Sequence, residues 1–526
     1  MKKFNINGLC MPAKHYMVDL SQRVQEIDHT LVELGEYFTI NRGRQYGKTT
    51  TLRALEHYLS SKYIVIKISF EGLDDSILRD TTEFIRSFIL TCASQLARSA
   101  VDDNIINNWK ADAEKFNLLI LRDRITKLVC ACNKPVVLMI DEVDKSSDNQ
   151  LFLSFLGMLR DKYLTRASYS DDEHEATFKS VVLAGVYNIK NLKLKIRPDD
   201  KHTYNSPWNI AAPFDIDMSF SADEIAEMLK EYETDHHTGM DVQSVSHAIH
   251  DQTSGYPYLV SAICKKIDER THDWTVSGVQ NVVYQMLLET NTLFDDIIKN
   301  LENNESFRAL VEGILLRGER VSFVPSDPNI SLGLMFGILK RDGLSVSVSN
   351  RIFEQYIYNH MISVMRTKYR IPASETSPSQ YAHNGVLDMS QVLSRFSLLM
   401  KTEYRKRDAR FVEENARLLF LIFLTPIING TGHYAVEVQT RDDMRMDIAV
   451  FYGKDEFIVE LKLWHGEKLE HDAYDQITKY LDAKGKRKGY LLVFCGNKIR
   501  QPERGKWVNH NGYEIYEVIV PFLEET

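Results

Sequence analysis

The segment NRGRQYGKTT at Asn41–Thr50 follows the apolar run Tyr37-Phe38-Thr39-Ile40, so a strand leads into a turn built on Gly, Lys and Thr. Such a turn suits one kind of chemistry. Its backbone N–H groups cradle phosphates, Lys48 brings a compact positive charge to the β- and γ-phosphates, and the Thr49 hydroxyl is a ligand for Mg²⁺. A later segment, VVLMIDEVD at Val136–Asp144, is a fully apolar strand that ends in two carboxylates. Asp141 is placed to hold the metal, and Glu142 beside it to orient an attacking water. The residues expected around ATP are therefore Arg42, Gly43, Arg44, Gln45, Tyr46, Gly47, Lys48, Thr49, Thr50 and Asp141, with Thr49 and Asp141 on Mg²⁺. One glycine is displaced: Arg42 stands where the usual pattern has its first glycine, and Gly43 follows it.

A second centre is written in MRMDIAVFYGKDEFIVELKLW, Met444 to Trp464. Two alternating apolar strands flank a Gly-Lys-Asp-Glu turn, which predicts a hairpin. A four-residue loop at Gly453–Glu456 would pair Tyr452 with Phe457, set Asp447 opposite Lys462, and place Glu460 across from Ala449. Side chains alternate with period two, so Asp447, Glu460 and Lys462 project from one face. Two convergent carboxylates can hold a hard divalent ion such as Mg²⁺ or Mn²⁺. A metal-bound water is a nucleophile near neutral pH, and Lys462 could position it or neutralise charge developing at phosphorus. A hairpin salt bridge from Lys462 to either acid would use the same residues without chemistry.

Those centres need elements to carry them. A chain of 526 residues is too long for one core and suggests roughly three domains. A helix at Leu20–Leu34 precedes the first strand. TLRALEHYLSS reads as a helix with Leu52, Leu55 and Leu59 on one face, and YIVIKISF as a strand. Helical periodicity fills 80–132, and KSVVLAGVYN is a further buried strand ending in Tyr187-Asn188. Ser221 and Glu224 form a capping box, and a Gly-Tyr-Pro turn within Thr253–Ile267 enters another helix. In Leu332–Met361 a helix ending near Gly343 and an alternating SVSVS strand suggest a winged-helix module or an all-helical spacer. Residues 366–386 are rich in Ser, Thr and Pro and read as a linker.

Hydrophobic content of 44% is ample for packed domains and argues against disorder, and a formal charge of −9 gives no global signature of nucleic-acid binding. Contact with phosphate backbones must come from local basic clusters: Lys401, Arg405, Lys406, Arg407 and Arg410; Lys484, Lys486, Arg487 and Lys488; Lys498, Arg500, Arg504 and Lys506. The six cysteines lack paired CxxC spacing and read as reduced thiols. The N-terminus has no apolar leader, and no apolar run reaches membrane-spanning length. The expected place is the cytoplasm, with no membrane partner.

The N-terminal half resembles the AAA-ATPase-like domain, with a helical lid after its sheet, and the C-terminal part resembles the PD-(D/E)xK nuclease superfamily. The resemblance is strongest at FTINRGRQYGKTT, PIINGTGHYAVEVQTR and FIVELKLWHG. It implies an α/β chain: a P-loop AAA-like ATPase with lid over 1–285, a helical or winged-helix module over 286–365, a linker over 366–386, and a nuclease-like domain over 387–526. It further implies catalytic support from Glu413 or Glu414 on a helix upstream of the hairpin. Gln476 and Tyr480 match a QxxxY element downstream. The expected activity is ATP hydrolysis joined to Mg²⁺-dependent cleavage of nucleic acid, DNA before RNA. A homo-oligomeric ring would need an arginine finger, for which Arg197 is the candidate. The rival is a nucleotide-switched binding or signalling protein whose C-terminal fold binds nucleic acid or a partner without cutting.

Overall fold

The computed structural model describes residues 2–71, 74, 76–111, 116–143, 150–168, 176–185, 208–317, 319–368, 373–383, 385–403, 409–428, 431–439, 445–464, 467–495 and 505–521. For 316–317, 365–368, 373, 402–403, 409–415, 433, 435–439, 445–447, 463–464, 467–472 and 521 only the backbone is described. The chain forms two compact units: Met1–Met286 with Val324–Arg341 and Ser349–Arg351, and Leu287–Phe323 with Asp342–Val348 and Ile352–Thr526.

The first unit is built on a parallel sheet of β1 (Tyr37–Asn41), β2 (Ile64–Ser69), β3 (Val136–Asp141) and β4 (Ser180–Gly185), in the order β1-β4-β3-β2. β3 and β4 are buried along their whole length, so their near-continuous apolar sequence is what a parallel strand covered on both faces requires. The chain leaves β1, crosses to the far edge and returns through β3, so β4 alone separates β1 from β3. At about 4.8 Å per strand, their carboxyl ends lie about 10 Å apart on one edge, where open parallel sheets bind ligands. Beyond β1, Ala212 donates its N–H to the Tyr37 carbonyl and forms an isolated parallel bridge with Phe38.

Several local expectations are met. The helix Lys48–Leu59 buries Leu52, Leu55 and Leu59, and Ser221 and Glu224 cap Ala222–His236 reciprocally. The continuous helical stretch expected at 80–132 is divided into Thr81–Arg98, Asp103–Lys110 and Leu118–Ala131, because Asp102 and Asn117 cap new starts. The Leu20–Leu34 helix is Ser21–Ile27 followed by a π-turn at Asp28–Val32.

Four helices, Ala222–His236, Val242–Thr253, Pro257–Lys266 and Val276–Leu287, form the helical region after the sheet. Its Gly-Tyr-Pro turn demands glycine: Gly255 has φ +71°, and a Cβ there would stand 2.0 Å from the Phe220 carbonyl oxygen. Gly255→Ala is expected to cost at least about 2 kcal/mol, from the left-handed backbone and the forced shift. The unit's melting temperature should fall by about 4 °C or more in calorimetry.

The helix expected to end near Gly343 is Pro328–Phe336, closed by Gly337 in the left-handed region. The apolar run LGLMFGILK hid that stop. β5 (Val321–Ser322) precedes this helix and β6 (Leu339–Asp342) and β7 (Ser345–Val348) follow it, with β5 antiparallel to β7. The two compact units cut across 286–365 instead of setting it apart as one module. Much of the expected linker is also folded. Tyr381, 1% exposed, ends the Pro378–Tyr381 helix and donates to the Glu375 carbonyl, while Arg395 grips the Glu375 carboxylate at 2.6 and 2.8 Å. β8 (Ala382–His383) and β9 (Val386–Leu387) pair just after it. The Ser/Thr/Pro-rich composition concealed this one apolar anchor.

The second unit carries a six-stranded sheet of β10 (Gly432–Gln439), β11 (Arg445–Tyr452), β12 (Asp455–Trp464), β13 (Lys488–Cys495), β14 (Lys506–His510) and β15 (Tyr513–Pro521). Their order is β10-β11-β12-β13-β15-β14. β10 to β12 run as an antiparallel meander, and β12, β13 and β15 are parallel. Ile477 and Leu481 of the helix Glu467–Ala483 pack with Ile458, Leu491 and Ile515 on one face. On the other face, Phe420 and Phe423 of the helix Ala409–Ile428 meet Phe396, which meets Phe494 of β13.

Candidate functional site

The loop after β1 starts the helix Lys48–Leu59 through Gly47, at φ 76° and ψ 12°. Lys48 is 9% exposed, and its Nζ donates to the Arg42 and Gly43 carbonyls at 2.9 Å each, which curls the loop around the ammonium. Thr49 is exposed on the first helical turn, whose N–H groups favour anions. Thr50 Oγ1 accepts from the Cys10 N–H at 3.4 Å.

The displaced glycine has a physical reason. A Cβ on Gly43 would stand 2.6 Å from the Phe336 carbonyl oxygen, so glycine is required here. Arg42 is not free to meet phosphate: its guanidinium donates to the Asn41 and Ile216 carbonyls at 2.8 and 2.9 Å and lies 5.3 Å from the Phe214 ring centre. Burial pushes its pKa below the usual arginine value. Arg44 offers its carbonyl to the Tyr256 hydroxyl at 2.5 Å. Gln45 adopts φ 57°, and Tyr46 donates to or accepts from Ser219 Oγ at 2.7 Å. The Tyr46 ring meets Tyr256 edge-on at 4.6 Å. Tyr256 thus joins the loop, and sequence reasoning missed it; its Gly-Tyr-Pro context was the available signal.

Asp141 ends β3, 5% exposed, and its Oδ1 accepts from the Glu142 N–H at 3.0 Å. Glu142 has φ 55°, a left-handed backbone uncommon outside glycine. Asp144, Tyr187, Asn188, Lys193, Lys195 and Arg197 lie outside the described residues.

The second centre differs from its expected register. The turn is two residues long, with Tyr452 paired to Asp455 and Ile448 to Val459. The same register, continued one step, brings position 447 opposite Glu460, not opposite Lys462. The ladder itself ends at Ile448 and Val459; one step further, that register would make the two acidic positions cross-strand neighbours, which a four-residue loop would have kept apart. The Asp447 side chain itself, with those of Glu413 and Glu414, lies outside the described residues. Glu413 and Glu414 belong to the helix Ala409–Ile428, whose described rings pack on the face opposite Glu460.

Four of the expected residues form one connected network. Glu460 is fully buried, and Lys462 Nζ lies 2.8 Å from its Oε1. The same Nζ donates to Gln476 Oε1 at 2.9 Å, and Gln476 Nε2 donates to the Tyr480 hydroxyl at 2.6 Å. Gly489 makes this possible: a Cβ there would stand 2.9 Å from Ile477 Cδ1 and Leu481 Cδ1, so glycine lets the helix carrying Gln476 lie close to β13. Among the described residues no group of three or more His, Cys, Asp and Glu is arranged to hold a metal.

Among the described residues, four lysines of the basic clusters near this centre pair with acids. Lys484 and Lys486 pair with Glu456 at 3.1 and 3.8 Å, and Lys488 with Glu514 at 3.1 Å. Lys506 is 3.8 Å from Glu517, and Arg487 lies over the Tyr513 ring. A run of like charges in sequence is therefore a set of ion pairs in space. Arg405, Lys406, Arg407, Lys498, Arg500 and Arg504 lie outside the described residues, as does the side chain of Arg410; Lys401 is exposed. All six cysteines are free thiols. Among the described residues no helix is long and apolar enough to cross a membrane.

Comparison with solved structures finds a Walker-type ATPase of Pyrococcus abyssi at 11% identity and TM-score 0.43, covering 67% of this chain and 99% of that one. The ORC2 protein of Aeropyrum pernix, solved in ADPNP and ADP complexes, matches at 10% identity and TM-score 0.30, covering 68% and 96%. The ORC1 protein of the same organism, solved with DNA, matches at 14% and 0.27, covering 66% and 94%. No curated protein matches the sequence. A family model described as an AAA-like domain matches residues 9–359, and residues beyond 359 lie outside it. The chain belongs to that AAA-like domain family and is an ATP-binding protein of the P-loop ATPase kind.

Proposed function

We propose that the first unit binds MgATP through residues 42–50 and hydrolyses it, and that the second unit cleaves phosphodiester bonds of nucleic acid, DNA before RNA, with a divalent metal. The observation that carries the second half is Lys462, whose ammonium bridges the buried Glu460 carboxylate and Gln476 beneath the strand position opposite Asp447. Fully buried carboxylate oxygens are a hard-ion donor set, so Glu460 with Asp447 fits Mg²⁺ or Mn²⁺. A bound ion would supply a Lewis acid and an acidified water there. Lys462 holds a positive charge beside the scissile phosphate, and Gln476, fixed by Tyr480, aims it. In the first unit, Lys48 and the helix N-terminus bind phosphate, Thr49 and Asp141 fit the nucleotide's Mg²⁺, and Glu142 orients water.

Glu142→Gln should keep ATP affinity and lower turnover by about a hundredfold or more, because an amide cannot take a proton from water. Phosphate release beside nucleotide titration checks it, and normal hydrolysis would move the water-orienting role elsewhere. Plasmid nicking by the full chain with Mg²⁺ or Mn²⁺ tests the nuclease half. The rival, a nucleotide-switched protein that binds without cutting, draws support from the ion-paired state of Lys484, Lys486 and Lys488. Intact DNA under every metal and nucleotide condition would select it.

A further inference from the structure

The phosphate loop is held from outside by two elements that belong to neither nucleotide motif. The first is the Gly-Tyr-Pro turn. Tyr256 donates its hydroxyl to the Arg44 carbonyl at 2.5 Å, its ring meets Tyr46 edge-on, and a Cβ on Gly47 would lie 3.8 Å from Pro257. The second is the C-terminal end of the helix Pro328–Phe336. The Phe336 carbonyl closes on Gly43, and a Cβ on Gly337 would lie 3.7 Å from the Tyr256 ring and 3.8 Å from the Tyr46 ring. Lys340 Nζ, just beyond, donates to Ser254 Oγ at 3.1 Å and ties this segment to the residue before Gly255. The two elements therefore touch the loop and each other.

We propose that Tyr256 and the Phe336–Gly337 turn are positioning residues for the phosphate loop, and that the segment 328–341 is coupled to nucleotide occupancy. The inference rests on the ATP-binding reading of the loop. A loop that has lost its first glycine to Arg42 must still present its N–H groups inward, and a carbonyl and a hydroxyl placed behind it hold that shape. A pre-shaped loop loses less freedom when it closes on phosphate, so the brace raises affinity without touching the ligand. Coupling is reciprocal: what strengthens nucleotide binding must itself be strengthened by nucleotide. The segment is well placed to use this, because the chain on either side of it, Leu287–Phe323 and Asp342–Val348, belongs to the second compact unit.

The test uses the full chain and a fluorescent ATP analogue. Tyr256→Phe keeps the ring against Tyr46 and removes only the hydroxyl, and should weaken binding about three- to tenfold. Gly337→Ala strains a backbone at φ +71° and should weaken it at least as much, whereas Gly337→Asn, which tolerates that backbone, should recover part of the loss. Amide exchange read by mass spectrometry should slow at Gly337 and Ile338, whose N–H groups close the helix, when ATP is added to wild type but not to Lys48→Ala. A merely structural role lowers melting with and without nucleotide alike and leaves the affinity of Tyr256→Phe at the wild-type value. That result, or exchange at Gly337 and Ile338 indifferent to ATP, overturns the inference while the ATP-binding reading stands. Wild-type protein that binds no ATP removes both.

Discussion

Lys48→Ala is expected to weaken ATP binding by at least about a hundredfold, since two charge-assisted hydrogen bonds of about 1.5 kcal/mol or more each are lost. The geometry also shows why Arg42 cannot repair the loss. Arg42, a cation of the same loop, spends its guanidinium on the Asn41 and Ile216 carbonyls and on the Phe214 face. Moving it to the phosphate would break those bonds and unseat the strand end that carries the loop. Lys48 has a second duty, gathering the Arg42 and Gly43 carbonyls, so the mutant loop should also open. Titration with a fluorescent ATP analogue reads the affinity, and wild-type binding in the mutant would sink the assignment. A melting curve taken without nucleotide separates loss of the ligand contact from loss of the fold.

The nucleotide loop could be read from residue types and spacing, because its motif is local and sits on a strand whose apolar pattern announces it. The strand-loop-helix at 37–59 and the strand ending in Asp141 needed only period and punctuation. What could not be read were contacts between distant segments. Nothing near Gly43 in sequence says that Phe336 will close on it, so its displacement looked like a defect in the motif instead of a fitted contact. Tyr256 escaped for the same reason. The hairpin shows a finer failure. Gly453-Lys454-Asp455-Glu456 reads equally well as a four-residue or a two-residue loop, and the strand pattern alone fits both, since a two-residue shift keeps every side chain on its face. The ladder settles it at Tyr452 to Asp455. In the fold, the basic block Lys484, Lys486 and Lys488 pairs with Glu456 and Glu514, contacts the sequence could not show.

The register bears directly on the most discriminating expectation. If the Ile448–Val459 register runs one pair further, position 447 faces Glu460, so Asp447→Asn and Glu460→Gln each remove charge from one place, and each should abolish Mg²⁺- or Mn²⁺-dependent DNA cleavage. ATP binding should be untouched, because the nucleotide loop lies in the other compact unit. Lys462→Ala should cut activity and keep metal binding, since the ammonium acts on water or phosphate and not on the ion. Burial adds a control that an exposed pair would not need. Glu460 is fully buried, so deleting its Lys462 partner takes a positive charge from beside a buried carboxylate, at a cost of up to about 3–5 kcal/mol. A purely structural pair therefore predicts a large drop in melting temperature for Lys462→Ala and no Mn²⁺ binding by wild type. A metal site predicts that Mn²⁺ stabilises wild type and Lys462→Ala, and stabilises neither acid mutant. Calorimetric Mn²⁺ titration beside a plasmid assay, with and without ATP, separates the two. Wild-type protein that binds no Mn²⁺ and leaves supercoiled, linear and single-stranded DNA intact defeats the nuclease reading and leaves Glu460 and Lys462 as a structural ion pair that fixes the helix carrying Gln476.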